Sequence, residues 1–212
     1  MLTKSAILLS LALCKAVAAS TVFRLHLANQ QTALIGPSLP PVTEPEDPNK
    51  VPGHNNVTYG PVPKAEQLFK LEYLEVTPTP IPVDQIFFTF LRGGIPSYKE
   101  KEIPDLEKQL RTATINIIVS VVADDGYHEQ TLNSTIPFAP IALANNAHLS
   151  IRNEAGTYVQ RLEPGYNEVL TDYWIPFKWL STGTWTLEIV ARLGNGDCLF
   201  AFTLTQRLEG AW

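Results

Sequence analysis

The sequence predicts an all-β fold, a sandwich of two sheets built from about seven to nine strands behind a proline-rich N-terminal extension. Three observations lead there. From residue 67 on, short apolar or alternating runs recur, each bounded by turn residues. Gly-containing turns (Asp124-Asp125-Gly126, Asn153-Glu154-Ala155-Gly156 and Gly194-Asn195-Gly196-Asp197) separate runs of matching length, as hairpins require. Only Ser97–Arg111 carries helical spacing.

The chain starts with the three parts of an export signal. Lys4 supplies the charge, Ala6–Cys14 a short apolar core, and Ala16-Val17-Ala18-Ala19 small residues for a peptidase. The apolar run falls well short of the ~18 residues of a membrane span. Residues 1–19 are therefore expected to be a signal peptide, giving a soluble protein that is secreted or held in a vacuolar or lysosomal-type lumen. Residues 20–65 form the extension, where Pro37, Pro40, Pro41, Pro45, Pro48, Pro52, Pro61 and Pro63 preclude a regular helix or central strand. Gly36–Pro63 reads as a linker or as a segment draped over the domain. Val22–Leu27 partly alternates and fits either an edge strand or a processed leader. The sandwich is expected over 66–212.

In Leu68–Val76, Phe69, Leu71 and Tyr73 share one face of a strand, with Lys70 and Glu72 opposite. Ile86–Leu91 is apolar enough to be buried on both faces. Ala113–Val122 is rich in β-branched residues, and His128–Ile136 is its return strand. Ala147–Arg152 with Thr157–Leu162, then Asn167–Ile175, then Thr184–Leu193 with Cys198–Arg207, complete the series. Between strands, Ser97–Arg111 places Ile103, Leu106 and Leu110 near one helical face, with Ser97 and Glu100 spaced as a capping box and Pro104 interrupting. It reads as a solvated excursion or as a flap at a cavity mouth.

The net charge of -5 leaves no basic footprint for nucleic acid. His26, His54, His128 and His148 are scattered, and no HExxH, CxxC, GxSxG or phosphate-loop motif occurs. No metal or cofactor, and no catalytic group, is expected. The acidic pairs Asp124-Asp125 and Glu44-Glu46 fall in a turn and in the proline-rich stretch; a glycan-active enzyme would need two carboxylates facing one cleft. Once Cys14 leaves with the signal, Cys198 has no partner; its apolar setting suggests an inert thiol. Asn56-Val57-Thr58 and Asn133-Ser134-Thr135 are N-glycosylation sequons, so Asn56 and Asn133 are candidate glycan sites.

Two stretches carry a resemblance. Phe69–Pro82 (FKLEYLEVTPTPIP) resembles the opening strand and proline-rich turn of ML lipid-recognition domains, and Leu180–Ala191 (LSTGTWTLEIVA) with Gly194–Phe200 is similar to their penultimate strand and final hairpin. The similarity is closest to the fungal secreted phosphatidylglycerol/phosphatidylinositol transfer branch; the Niemann–Pick lysosomal cholesterol-binding protein is a more distant relative. The resemblance implies an immunoglobulin-like sandwich holding an acyl chain or sterol between its sheets, without enzymatic activity, as a monomer touching membranes transiently. The several disulfides usual in that family are missing here. Apolar strand placement together with the resemblance nominates Phe88, Phe90, Ile118, Trp174, Trp185, Ile189, Phe200 and Phe202 as lipid-lining residues. The contrasting expectation is an adhesion or interaction module with a filled core.

Overall fold

The computed structural model describes residue 45, residues 47–143 and residues 147–211. The expected signal peptide and the Val22–Leu27 run lie outside them. Eleven strands form, all paired antiparallel: β1 (Val57–Tyr59), β2 (Lys70–Thr77), β3 (Ile86–Gly94), β4 (Thr114–Ala123), β5 (His128–Pro137), β6 (Ile141–Leu143), β7 (Ala147–Asn153), β8 (Tyr158–Val159), β9 (Tyr166–Trp174), β10 (Gly183–Arg192) and β11 (Cys198–Leu208). Sheet A runs β1-β11-β10-β4-β5 and sheet B runs β2-β3-β9-β7-β6, with the short β8 also on β7. The protein is an all-β sandwich, and its main core lies between the sheets.

The β4–β5, β7–β8 and β10–β11 hairpins fall where the turn chemistry puts them. At the tip of the last, Gly196 adopts φ 93°, a conformation glycine enters without steric cost. Two strands, β1 and β6, have too few residues to leave a periodic trace. β1 also corrects the 65/66 boundary, because the sandwich begins earlier. Val51 and Val57 are core residues, and Val57–Tyr59 pairs with Leu204–Phe202 of β11. Just before β1, Pro52 and His54 accept backbone bonds from Leu74 and Val76 of β2. Gly53 permits that approach: its φ is +117°, and a Cβ there would sit 2.2 Å from the Leu74 carbonyl oxygen. The proline-rich segment thus ties the open edge of sheet A to that of sheet B. Leu68 and Phe69 add bonds to Cys198 and Leu199 before the chain enters β2, so the strand turns a corner between sheets.

Register also corrects one face. A bulge between Leu71 and Tyr73 sets two residues of β2 against one of β3. Leu71 and Leu74 stay in the main core, while Tyr73 swings to the outer face of sheet B and packs with Phe90 and Leu170.

Ser97–Arg111 forms two short helices, α1 (Ser97–Glu100) and α2 (Leu106–Arg111). The capping box does not form: Pro96 holds the N-cap position, and the Glu100 carboxylate instead accepts the backbone N–H of Gly165 at 2.7 Å. Lys99 donates to the Gln67 carbonyl, and Gln109 O accepts from Gly194 N. With Leu110 buried, and Ile103 and Leu106 packed on the core, the segment is a docked cap on one end of the sandwich. Its charged residues Lys101, Glu102, Glu107, Lys108 and Arg111 face solvent, so it is an excursion docked by its apolar side.

Candidate functional site

The space between the sheets is the first place to look. Strand alternation places Ile115, Ile117, Val119 and Val121 of β4 inward, opposite Ala191, Ile189, Leu187 and Trp185 of β10. Phe200, Phe202 and Leu204 of β11 continue the same wall. Phe87, Leu91, Leu149 and Val169 face them from sheet B. Thr89 and Thr171 also point inward, and their hydroxyls bond each other at 2.5 Å, so this wall presents no unpaired polar atom there.

The interior is not uniform along its length. At the capped end it is sealed: Phe200 is 2 % exposed, and its ring lies 5.5 Å from Phe69 and 5.8 Å from Phe138. Leu199, Ala191 and Ile151 retain no accessible surface. Toward the other end, Ile117, Val119, Leu187, Trp185 and Phe202 face inward yet remain part-exposed. Tyr173 and Ile175 across from them, and Leu132 on β5, are also part-exposed, and so is Ile136, which pairs with Ile115 near the capped end. Burial raises the Tyr173 phenol above its ordinary pKa, opposed by a hydrogen bond to Thr171 and reinforced by the Asp172 carboxylate. Val121 and Leu204, beside Trp185 and Leu187 on the same walls, are buried, so accessibility toward this end changes from one side chain to the next.

The eight nominated lining residues divide evenly. Trp185, Ile189, Phe200 and Phe202 lie between the sheets, with Phe200 at the sealed end, Ile189 next to it and the other two in the part-exposed region. Phe88, Phe90, Ile118 and Trp174 do not line the interior. Ile118 is opposite Glu188 and Asn133 on the outer face of sheet A. Phe88 is opposite Asp172, and Phe90 belongs to the outer cluster with Tyr73. Trp174 is 36 % exposed. The alternation explains both outcomes. In β4, Ile118 sits between Asn116 and Ser120 and shares their face, which a strict period of two reveals from sequence; the same test finds the missed Ile117, Val119 and Leu187. In β3 the test misleads, because Phe87, Phe88, Phe90 and Leu91 are apolar on both faces and the polar Thr89 points inward.

Beyond the part-exposed region the chain crosses from β9 to β10 through residues 175–182. This crossover is held in place. Asp84 N donates to Ile175 O, Phe177 N to Asp84 Oδ1 at 2.8 Å, and Ala211 N to Phe177 O. Leu180 is buried beneath it, while Phe177 and Trp179 are 42 % and 40 % exposed. The rings of Trp174 and Trp179 meet at 6.4 Å.

Polar groups gather elsewhere. On the outer face of sheet B, Asp172, nearly buried, pairs with His148 Nδ1 at 2.8 Å. At the capped end, Arg92, Asn153, Glu154, Gly156, Tyr166 and Glu168 line a depression of about 60 Å³. Glu154 and Glu168 both line it, but the space is far below the ~300 Å³ of an ordinary ligand cleft. Among the described residues no group of three His, Cys, Asp or Glu side chains could hold a metal, and no helix is long and apolar enough to cross a membrane. Asn56 and Asn133 are both exposed. Asn133 lies on the edge strand β5, where its carbonyl accepts from Asn116 Nδ2 at 3.1 Å.

No family model matches this sequence, and no curated protein matches it. Among solved structures, one similar in part is a family 123 glycoside hydrolase from Clostridium perfringens, described for its glycolipid glycan hydrolysis. The likeness has a TM-score of 0.30 and 8 % identity, and it covers 60 % of this chain and 22 % of that one, so the chain spans about a fifth of its length. What the fold and the site establish together is an all-β sandwich with its main core between the sheets, tightly packed at the capped end and mixing buried with part-exposed inward side chains toward the other.

Proposed function

We propose that this protein is a non-enzymatic lipid carrier that takes an acyl chain or sterol between its two sheets. The observation that carries the reading is the row Ile117, Val119, Leu187, Trp185 and Phe202, which strand alternation turns inward and which is apolar yet part-exposed beside the buried Val121 and Leu204. Such a row is unfavourable in water and is relieved by an apolar guest, at about 0.8 kcal/mol per methylene transferred. The resemblance of residues 69–82 and 180–200 to lipid-recognition domains supports the same use of the interior. Here the lining set is Trp185 and Phe202, joined by Ile117, Val119 and Leu187; Ile189 borders it, and Phe200 forms its closed floor. Entry of a tail requires these side chains to part.

The test is uptake of a fluorescent fatty acid and of a fluorescent sterol, with native mass spectrometry of the purified protein. Leu187→Trp fills the row and is expected to abolish uptake, whereas Ile118→Thr, on the outer face of the same sheet, leaves it intact. Equal uptake by both variants, or a parent protein that neither carries nor acquires lipid, overturns the proposal. The packed Phe69–Phe138–Phe200 end favours the contrasting reading, a surface-acting interaction module with a filled core. That reading predicts no uptake by any of these proteins.

A further inference from the structure

We infer that the β9–β10 crossover, with Trp174, Phe177 and Trp179, is the surface by which this protein docks on the interfacial layer of a neutral phospholipid bilayer. The inference rests on the lipid-carrier reading and names the partner from which that site would load.

Four observations converge on these residues. First, three large aromatics that are each more than a third exposed lie within six positions of one another. Leaving so much apolar ring in water costs free energy that the fold could avoid by turning them inward. Second, they are held outward. The crossover backbone is fixed by Asp84 and Ala211 and pinned by buried Leu180, so the exposure belongs to a formed structure. Third, the side-chain types suit a bilayer interface. Tryptophan places an apolar body among acyl chains and a polar N–H among headgroups, and the Lys178 ammonium lies 6.0 Å over the Trp179 ring. Fourth, the location is continuous with the site. The crossover spans from sheet B to sheet A across the end toward which the part-exposed inner row runs, and away from the end capped by α1 and α2. On the same side, the β4–β5 hairpin joins it through Asp124 N to Thr182 O and carries Tyr127, 62 % exposed.

Charge selects the kind of bilayer. The chain carries -5 overall, Lys178 is the single basic residue of 174–182, and nearby Arg207 is engaged by Asp124 at 2.5 and 2.8 Å. Attraction to anionic lipid therefore contributes little. Binding is driven by aromatic and apolar insertion, so it persists at high salt and does not rise with phosphatidylserine content.

The experiment is co-sedimentation of the purified protein with phosphatidylcholine vesicles, with tryptophan emission recorded alongside. The parent is expected to sediment and to shift its emission to the blue. The double variant Phe177→Ser, Trp179→Ser is expected to lose sedimentation severalfold while keeping its circular dichroism, since neither side chain is part of the core. Leu187→Trp separates the two ideas: it should still sediment while losing uptake. A parent that takes up lipid from solution but does not sediment overturns the docking surface and spares the carrier reading. Sedimentation of the double variant equal to the parent overturns it as well, as does a parent retained by immobilised polysaccharide but not by vesicles. A parent that sediments through these residues yet takes up no lipid supports the surface and removes the carrier.

Discussion

At the scale of single residues, Tyr73 shows how one bulge redirects chemistry. Swung outward, its phenol donates to Glu75 at 2.5 Å, and burial with that carboxylate raises its pKa from 10.0 to about 12. The folded state holds this proton more tightly than the unfolded chain. The resulting stabilisation is fully present below pH 10 and is lost as pH climbs from 10 through 12. Tyr73→Phe should flatten the fall in stability over that window, although Tyr166 and Tyr173, also raised, remain in both proteins. Urea midpoints at pH 9 to 12 check it; parallel curves for parent and variant would refute the assignment. Faces were legible in the sequence where polar and apolar residues alternate, as in β10, and less so in β4, where Ile118 and Val122 put apolar side chains on the outer face as well. They were not legible at Tyr73, since a bulge depends on the partner strand, nor at Thr89, whose inward hydroxyl is tolerated only because Thr171 sits across from it.

Among the elements, the segment before β1 matters most and was least readable. Its prolines and glycine spell an irregular stretch, and nothing local says that its backbone will bond to two different sheets. Gly53→Ala tests the arrangement. A residue with Cβ at φ +117° costs about 1–3 kcal/mol in backbone strain alone, and here it also meets the Leu74 backbone. The expected result is a lower melting temperature with faster hydrogen exchange at the Leu74 and Val76 amides. Unchanged exchange at both positions would mean that the contact is dispensable. The helical excursion illustrates the opposite case. The apolar spacing of Ile103, Leu106 and Leu110 was readable and each packs on the core, but the role of Glu100 was not, because its partner Gly165 is distant in sequence.

For the molecule as a whole, the described residues contain a single cysteine, Cys198, buried and unpaired, so stability there rests on packing and hydrogen bonds. Burial pushes its thiol above the ordinary pKa, with Arg192 opposing, and the thiolate needed for reaction is scarce at neutral pH. The melting temperature should be indifferent to reductant, and a thiol reagent should label Cys198 quickly only after denaturation. Rapid labelling of the native protein would show that this region opens. The sandwich class followed from turn spacing, whereas the state of its interior did not, because a filled and a parted pair of sheets use the same alternation. The bonds between the proline-rich segment and both sheet edges have a mechanical consequence. Gln206, which joins Ile81 through both its amide atoms, adds another tie on that side. The opposite flank is closed as well, because β5 of sheet A passes into β6 of sheet B through residues 138–140, with Phe138 buried in the core. Bound along both flanks, the two sheets cannot part like the covers of a book, so a change in the interior falls on side chains and not on the distance between the sheets.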